Sequence, residues 1–256
     1  MYFIDSHTHI YGEDFDSDRD QAIQNAIAHK INEFVLPAID SEYTTRMLDL
    51  KKAYPEIMHL MTGLHPTHVK PESIDKELAH VEQRLQEGDV CAVGEIGVDL
   101  YWDKSTLDLQ KQAFAKQIQW AKQHDLPIVI HCRDAFDEVF EVLEAEKSEK
   151  LRGVFHCFTG TLENAKKALT YNLKLGIGGV VTFKNGKIDK FLHEIDLEHI
   201  VLETDAPYLA PTPFRGKRNE SAYIRHIAEK VAEIYNLPLE KIAEITTQNC
   251  KEIFAI

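Results

Sequence analysis

Six side chains that can bind metal ions lie at the ends of short apolar runs in this sequence. They are His7, His9, Glu95, His131, His156 and Asp205. In a β-strand, residues two apart point to the same face, so His7 and His9 can bind one ion together. If the apolar runs are parallel strands, their C-terminal ends meet at one mouth. Four imidazoles and two carboxylates are suited to divalent cations such as Zn²⁺, Mn²⁺ or Mg²⁺.

The prediction rests on the shared position of these six residues and not on any single one of them. An isolated histidine is more often a surface or core residue than a ligand, and His29, His80 and His124 fit that description because they lie in polar helical stretches. The six proposed ligands instead occur at the same phase of successive strand patterns. We therefore interpret them as one constellation.

Glu95 is the only carboxylate near the middle of this set, and we predict that it bridges two ions. His7, His9 and Asp205 would complete the coordination of one ion, and His131 and His156 that of the other. Two ions about 3.5–4 Å apart can share a hydroxide and bind an oxyanion from both sides. Asp205 can also accept a proton from the attacking water as a general base. Asp205 and Glu95 are thus the predicted catalytic residues.

Several cations lie in the loops that would surround this mouth. We predict that substrate is bound by His65, Arg133, Lys184 and Arg215. Arginine offers a planar fork to phosphate oxygens, so this set favours a phosphate-bearing substrate. For the loop that holds Arg215, an ordinary solvated charged loop is the alternative interpretation.

Two aromatic residues follow the fourth apolar run. Tyr101 and Trp102 either stack on a nucleobase or pack on the rim of the fold, and the sequence leaves both interpretations open.

The composition is that of an ordinary globular protein, with 256 residues, 44% of them hydrophobic and 28% charged. A formal charge of −13 argues against a basic surface for non-specific nucleic-acid binding. No apolar run approaches the roughly 18 residues that span a bilayer, and no signal peptide is visible. The four cysteines form no C-x-x-C pair, which predicts reduced thiols and a cytoplasmic location. We expect Cys132 and Cys157 to be small buried residues beneath the helices.

Strand and helix patterns alternate along the chain. The predicted strands are 2–5, 33–36, 57–62, 90–95, 128–131, 153–156, 174–177 and 200–203. The predicted helices are 16–30, 41–53, 71–86, 105–124, 135–147, 162–171, 188–194, 220–235 and 239–254. Eight strand–helix units predict a TIM (β/α)₈ barrel with additional C-terminal helices, formed as a single domain by residues 1–256. Active sites of such barrels lie at the C-terminal ends of the strands, where the six proposed ligands fall.

Five motifs together resemble a known family. They are Asp5-Ser6-His7-Thr8-His9, Gly94-Glu95-Ile96-Gly97-Val98-Asp99, His131-Cys132-Arg133-Asp134-Ala135, His156-Cys157-Phe158-Thr159-Gly160 and Glu203-Thr204-Asp205-Ala206-Pro207-Tyr208-Leu209. Their order and residues are similar to those of the TatD-type metal-dependent deoxyribonucleases, over nearly the whole chain. His-x-His alone is shared by the wider amidohydrolase superfamily.

The resemblance implies a TIM barrel, two divalent metal ions and hydrolysis of DNA phosphodiesters. It implies the same six ligands, together with phosphate contacts from His65, Arg133 and Arg215. The chain departs from the family pattern at Tyr11-Gly12, at Trp102 and at residues 219–221, and we expect none of these to touch a ligand. DNA is the expected partner, as single strands or strand ends, with no membrane and no obligate protein partner.

Two other functions compete with this interpretation. An amidohydrolase acting on a small cyclic amide, lactone or phosphoester is the first, but such enzymes often bridge their metals with a modified lysine where this chain has Glu95. A catalytically silent scaffold is the second. An intact ligand set argues against a scaffold, because buried polar groups without partners reduce stability.

Overall fold

A computed structural model describes the whole chain, residues 1–256, and shows eight parallel strands. The strands are β1 (Phe3–Asp5), β2 (Ile31–Leu36), β3 (Met58–Thr62), β4 (Ala92–Asp99), β5 (Ile128–Arg133), β6 (Gly153–Phe155), β7 (Leu173–Ile177) and β8 (Ile200–Leu202). Each strand pairs with the next one along the chain, so the spatial order follows the sequence order. This order is that of the predicted (β/α)₈ barrel, and the fold prediction is confirmed.

The sheet closes where β8 meets β1. The backbone amide of Ser6 donates to the carbonyl oxygen of Leu202 at 3.0 Å, and that of Asp205 donates to His7 at 2.9 Å. A parallel bridge joins Thr8 to Ala206 just beyond both strands. Closure therefore places His7, His9 and Asp205 side by side at the mouth.

Helices pack around the outside of the barrel. They are α1 (Arg19–Ala28), α2 (Thr44–Ala53), α3 (Ile74–Glu87), α4 (Leu107–His124), α5 (Phe136–Ala145), α6 (Leu162–Leu169), α7 (Ile224–Tyr235) and α8 (Leu239–Phe254). Helix α3 ends before Gly88, which adopts the left-handed conformation with φ 77° that glycine accommodates without strain. None of these helices has the length and apolar character needed to cross a membrane.

The lower half of the barrel interior is apolar and is closed by the last helix. Seven strands each contribute one inward residue, from Ile4 in β1 to Val201 in β8, and these pack against Cys250, Ile253 and Phe254 of α8. Side chains alternate between the two faces of a strand. The next inward position after Val129 in β5 is therefore His131, at the open end. Because side chains alternate, the apolar residues that pack inward at one end of the barrel determine which residues of the same strands point inward at the other end.

The segment after β7 differs from the prediction. A helix is predicted at 188–194, but the chain forms two short 3₁₀ turns, Ile188–Lys190 and Leu192–Glu194. Seven residues are too few to nucleate a stable α-helix in isolation. The hydroxyl oxygen of Tyr235 lies 2.7 Å from the carbonyl oxygens of both Leu192 and Ile195. A side chain from α7 thus provides a hydrogen-bond donor for two carbonyl groups at the end of this segment.

Strand β4 is longer than predicted and irregular at the site. It extends to Asp99, and its register against β5 shifts between Gly94 and Ile96, so that Glu95 has no partner of its own. A β-bulge of this kind redirects a side chain. The bulge is the local feature that places Glu95 among the histidines at the mouth.

Candidate metal centre

All six predicted ligands meet at the C-terminal mouth of the barrel. His7 and His9 follow β1, Glu95 lies in β4, His131 in β5, His156 directly after β6, and Asp205 three residues after β8. His7 and Glu95 are almost fully buried, and His156 is nearly so. Three groups that each contain at least two predicted ligands lie close enough to share an ion: His7–His9–Glu95, His7–His156–Asp205 and His65–Glu95–His131.

The two carboxylate oxygens of Glu95 face different imidazole rings. Oε2 lies 3.1 Å from Nε2 of His7 and 3.7 Å from Nε2 of His9. Oε1 lies 2.7 Å from Nδ1 of His131 and 3.6 Å from Nε2 of His156. One carboxylate therefore reaches both halves of the cluster, which is the geometry that a bridging ligand requires.

Asp205 lies on the side of the cluster that holds the first two histidines. Its Oδ1 is 3.5 Å from Nε2 of His9 and 3.9 Å from Nε2 of both His7 and His156. His156 thus faces Glu95 and Asp205 at similar distances and stands between the two predicted ion positions. His7, His9 and Asp205 thus lie together, as the predicted division of ligands requires, while His156 is close enough to both carboxylates to serve either predicted position.

A buried tyrosine fixes the orientation of His9. The Tyr11 hydroxyl donates to the carbonyl oxygen of Pro37 at 2.6 Å, so it accepts from Nδ1 of His9 at 2.8 Å. The proton of the neutral ring is then on Nδ1, and the lone pair of Nε2 points toward the cluster. The expectation that the Tyr11-Gly12 departure touches no ligand is therefore wrong.

Carboxylates outside the six ligands orient two other histidines. Asp99 Oδ2 accepts from Nε2 of His131 at 2.9 Å, which leaves Nδ1 of that ring toward Glu95. Glu203 Oε1 lies 3.1 Å from Nδ1 of His156, and Nε2 of that ring faces the centre. Such partners are typical of histidines that bind metals.

Glycine at position 176 in β7 makes room for Glu203. A Cβ on Gly176 would lie 2.2 Å from Oε2 of Glu203. Any larger residue would displace the carboxylate that orients His156. Gly176 thus keeps β7 free of a side chain at the point where the Glu203 carboxylate lies.

The electrostatic field of the centre is strongly negative. Burial lowers the pKa of His156, but the carboxylates of Glu203, Glu95 and Asp205 outweigh it and raise that pKa to about 10. Burial and the neighbouring His156 lower the pKa of His7. The two rings stack with centroids 3.5 Å apart, so a proton on His156 disfavours a proton on His7.

The two central carboxylates remain ionised in this field. Burial would raise the pKa of Glu95, but His156, His65 and His7 hold it well below its usual range. Burial likewise opposes ionisation of Asp205, and His156 and His9 lower its pKa. Both side chains are thus anionic at neutral pH.

The donor set fits divalent cations. Glu95 and Glu203 are buried and Asp205 is half-buried, and histidines are the only ion-pair partners of all three. Buried anions require cationic partners, and Nδ1 of His7 and Oε2 of Glu203 have no hydrogen-bond partner at all. Ligand atoms bound at about 2.1 Å from an ion lie roughly 3–3.5 Å from each other, close to the separations around Glu95.

The predicted substrate-binding residues divide into two groups. His65 and Arg133 line the cleft of about 670 Å³ above the centre. Lys184 and Arg215 do not line it, and the Arg215 guanidinium instead lies 3.6 Å from the ring centroid of Phe183. The neighbouring Arg218 binds Asp18 through two hydrogen bonds of 2.7 Å and has a structural role.

Cys157 does not lie beneath the helices as expected. Strand β6 ends at Phe155, and Cys157 has φ 43°, so the alternation rule for strands does not apply to it. Its side chain is near those of His156 and Glu203, and it borders the cleft. Cys132 packs partly against the core, as expected, and also borders the cleft.

Three functional residues were missing from the predicted site: Tyr11, Asp99 and Glu203. Glu203 follows the inward Val201 by two positions, so the alternation that places His131 also places it inward. Asp99 lies four residues beyond Glu95 in the same motif. Both carboxylates had a signal in the sequence, whereas the contact of Tyr11 with Pro37 depends on the fold.

Known proteins are similar to this chain over nearly its whole length. The family model described as TatD-related DNase matches residues 4–255. The metal-dependent hydrolase YabD of Bacillus subtilis is 40% identical over 254 residues, covering 99% of each chain. The metal-dependent hydrolase YcfH of Escherichia coli is 31% identical and covers 100% of this chain and 97% of its own.

Solved structures agree with the fold. YjjV, a TatD homologue from Escherichia coli, superposes with a TM-score of 0.93 at 29% identity, covering 99% of this chain and 98% of its own. A phosphotriesterase homology protein from Escherichia coli, crystallised with phosphate in its active site, superposes with a TM-score of 0.68 at 13% identity, covering 99% of this chain and 98% of its own. The second likeness concerns the fold alone.

Proposed function

Because this chain belongs to the family of TatD-related DNases, we propose that it is a metal-dependent hydrolase that cleaves phosphodiester bonds of DNA. The observation that carries the proposal is the placement of Glu95, whose two oxygens face separate histidines at the bottom of an open cleft. We propose two ions, held by His7, His9 and Asp205 on one side and by His131 and His156 on the other, with Glu95 between them.

Divalent cations in this centre would supply Lewis acidity, by lowering the pKa of water and neutralising the charge of the reacting phosphate. Asp205 is an ionised carboxylate beside the open cleft, and its Oδ accepts the proton of the attacking water. The outer partners Tyr11 and Asp99 orient the imidazole rings of His9 and His131, and the Glu203 carboxylate lies beside the ring of His156.

His65 presents a ring N–H to the centre, where its Nε2 lies 3.3 Å from Oε1 of Glu95, and a phosphate oxygen that binds beside Glu95 could accept from it. The backbone amide of Thr67 donates to Nδ1 of His65 at 3.2 Å, so the proton of the neutral ring is on Nε2. Burial lowers the pKa of His65 to about 4, although Glu95 opposes this, and the ring is neutral at pH 7. Arg133 adds a guanidinium at the rim with no hydrogen bond to any other side chain. Together they bind the phosphate at the cleft.

An assay of substrate classes tests the proposal. Protein reconstituted with Mg²⁺, Mn²⁺ or Zn²⁺ is incubated with labelled single-stranded and double-stranded DNA, a small phosphodiester and a cyclic amide. We expect DNA cleavage that chelator abolishes and that the Asp205→Asn variant lacks. Hydrolysis of the cyclic amide without cleavage of either DNA would contradict the proposal and would favour an amidohydrolase.

A further inference from the structure

The loop after β4 places two exposed aromatic rings at the rim of the cleft. Trp102 is 69% exposed, the highest value among the large apolar side chains, and Tyr101 is 54% exposed. Trp102 lines the same cleft as Glu95, His131 and Asp205. Exposed aromatic surface of this kind is unfavourable in water and often marks a binding site. Of the two interpretations made from the sequence, packing on the rim describes Tyr101, whereas Trp102 leaves most of its surface exposed at the cleft.

Arg133 is held against these rings. Its guanidinium carbon lies 3.7 Å from the ring centroid of Tyr101 and 5.6 Å from that of Trp102. The two rings meet edge to face, with centroids 5.0 Å apart. One face of Tyr101 is thus covered by the guanidinium, which forms no salt bridge to any acidic residue, while Trp102 remains open. The pair therefore offers a cation for a phosphate next to a flat apolar surface.

The position of this loop is fixed relative to the metal centre. Asp99 Oδ1 accepts from the backbone amides of Tyr101 and Trp102 at 2.9 and 3.0 Å, while its Oδ2 accepts from His131. The buried amide of Gln110 on α4 bonds to the backbone of Asp99 at both its amide and its carbonyl group. One carboxylate therefore connects the aromatic rings to a predicted metal ligand. The rings consequently lose little conformational freedom when a molecule binds in the cleft.

We propose that Trp102 is the stacking surface of a nucleobase subsite, and that Arg133, held over the ring of Tyr101, binds the phosphate joined to that base. The inference rests on the proposed function and specifies its substrate as a strand with an unpaired base beside the reacting phosphate. Every base has a π-face, so stacking tolerates any sequence, and a base paired within a duplex cannot present that face to Trp102. The subsite thus favours single strands and frayed ends.

Fluorescence gives a test that does not depend on catalysis. Trp102 and the buried Trp120 are the only tryptophans, so Trp120→Phe leaves Trp102 as the single reporter. The metal-reconstituted protein is titrated with deoxyadenosine monophosphate and with deoxyribose 5-phosphate, which lacks the base. We expect the nucleotide to quench the emission and the sugar phosphate to leave it unchanged. Equal quenching by both ligands, or quenching by neither, would overturn the base subsite.

Kinetics on matched oligonucleotides distinguish a failure of the base-subsite proposal from a failure of the proposed function. The ratio of kcat/KM for an intact single-stranded oligonucleotide to that for an abasic one of equal length measures base recognition. We expect Trp102→Ala to lower this ratio by about 5- to 100-fold and Trp102→Phe, which keeps a ring, by much less. Leu237→Ala, at an exposed apolar residue outside the cleft, is the matched control and should keep the native ratio.

The outcomes of the two experiments are distinct. If Trp102→Ala slows cleavage of both oligonucleotides equally, the base subsite is wrong and the nuclease proposal stands. If the native protein cleaves neither oligonucleotide, the nuclease proposal fails, and the fluorescence titration alone decides whether Trp102 binds a base.

Discussion

Glu95 is the residue on which both halves of the centre depend, because each of its oxygens faces different histidines. We expect Glu95→Gln to impair activity more than His65→Ala does. An amide in place of the carboxylate removes a negative charge and one bridging oxygen, so it disturbs the binding of both ions. Loss of the His65 contact to substrate should cost about 1–3 kcal/mol in transition-state binding.

Rates in excess metal are the measurement for this pair of variants, because excess metal compensates for a simple loss of affinity. His65→Ala is the control for removing a side chain that borders Glu95 at 3.3 Å without being a proposed ligand. A Glu95→Gln protein that keeps most of its native rate in saturating metal would rule out a bridging role.

Tyr11 orients His9 through a single hydroxyl group. We expect Tyr11→Phe to weaken metal affinity by about 10- to 100-fold, since outer partners of metal-binding histidines contribute on that scale. The measurement is competition against a chelator of known affinity. Tyr54→Phe, which removes a hydroxyl that bonds the distant Asp20, is the matched control. Equal affinities for the two variants would show that the Tyr11 hydroxyl does not orient the ring.

At this scale the sequence predicts the residues that converge on the centre but not those that orient them. His131 and His156 are predictable because strand alternation alone points them inward. Asp99 and Glu203 follow the same periodicity and were recognisable in principle, but the sequence does not tell a ligand from the partner of a ligand. Tyr11 was not predictable, because its contact requires Pro37 from the next strand to lie beside it.

The strands and helices were largely predictable, and the exceptions have local causes. The sequence predicts β5 from a continuous apolar run. It predicts α4 from apolar residues that recur at helical spacing over a long segment. The segment 188–194 also shows apolar residues at helical spacing, but it is short and its carbonyl groups bond to Tyr235. The bulge at Glu95 has no signal in hydrophobic periodicity, since it depends on the register between β4 and β5.

Glu33 connects several elements of the barrel and gives its stability a pH dependence. Its Oε2 accepts from His59 of β3 at 3.0 Å, and its Oε1 accepts from the Tyr2 hydroxyl at 3.2 Å. The hydrogen bond from His59 lowers the pKa of Glu33, while burial opposes the shift. Because the folded pKa is depressed, this stabilisation is present above the unfolded pKa of 4.5 and is lost as pH falls through the folded pKa.

We therefore expect Glu33→Gln to lower the free energy of unfolding by about 1–2 kcal/mol at pH 7, with the difference from the native chain shrinking as pH falls below 4.5. Urea unfolding at several pH values measures this. Glu82→Gln, at an exposed position of α3 without an ion pair, is the control for the change in charge. A difference that grows in acid would show that Glu33 is not stabilised as a carboxylate.

For the whole molecule, a charge of −13 means that a polyanion is repelled at long range. Binding of DNA must then depend on bound cations and on the few basic residues near the mouth, of which Arg133 lines the cleft while Lys184 and Arg215 lie outside it. We expect a shallow dependence of log affinity on log salt, corresponding to roughly two to four neutralised phosphates.

Binding of single-stranded DNA to the Asp205→Asn variant at several salt concentrations, with and without chelator, measures this slope. Affinity should fall sharply when the metal is removed. A steep slope like that of a dedicated duplex-binding protein, unchanged by chelator, would indicate an extended basic face elsewhere on the molecule.

We propose that one constellation at the barrel mouth holds two ions through Glu95, and the number of bound ions is the decisive measurement. Equilibrium dialysis against Mn²⁺, followed by elemental analysis, gives that number at saturation. Six ligands exceed the three or four that one catalytic ion uses, so we predict two ions per chain and fewer in the Glu95→Gln variant. Saturation of the native chain at no more than one ion would contradict the two-ion centre.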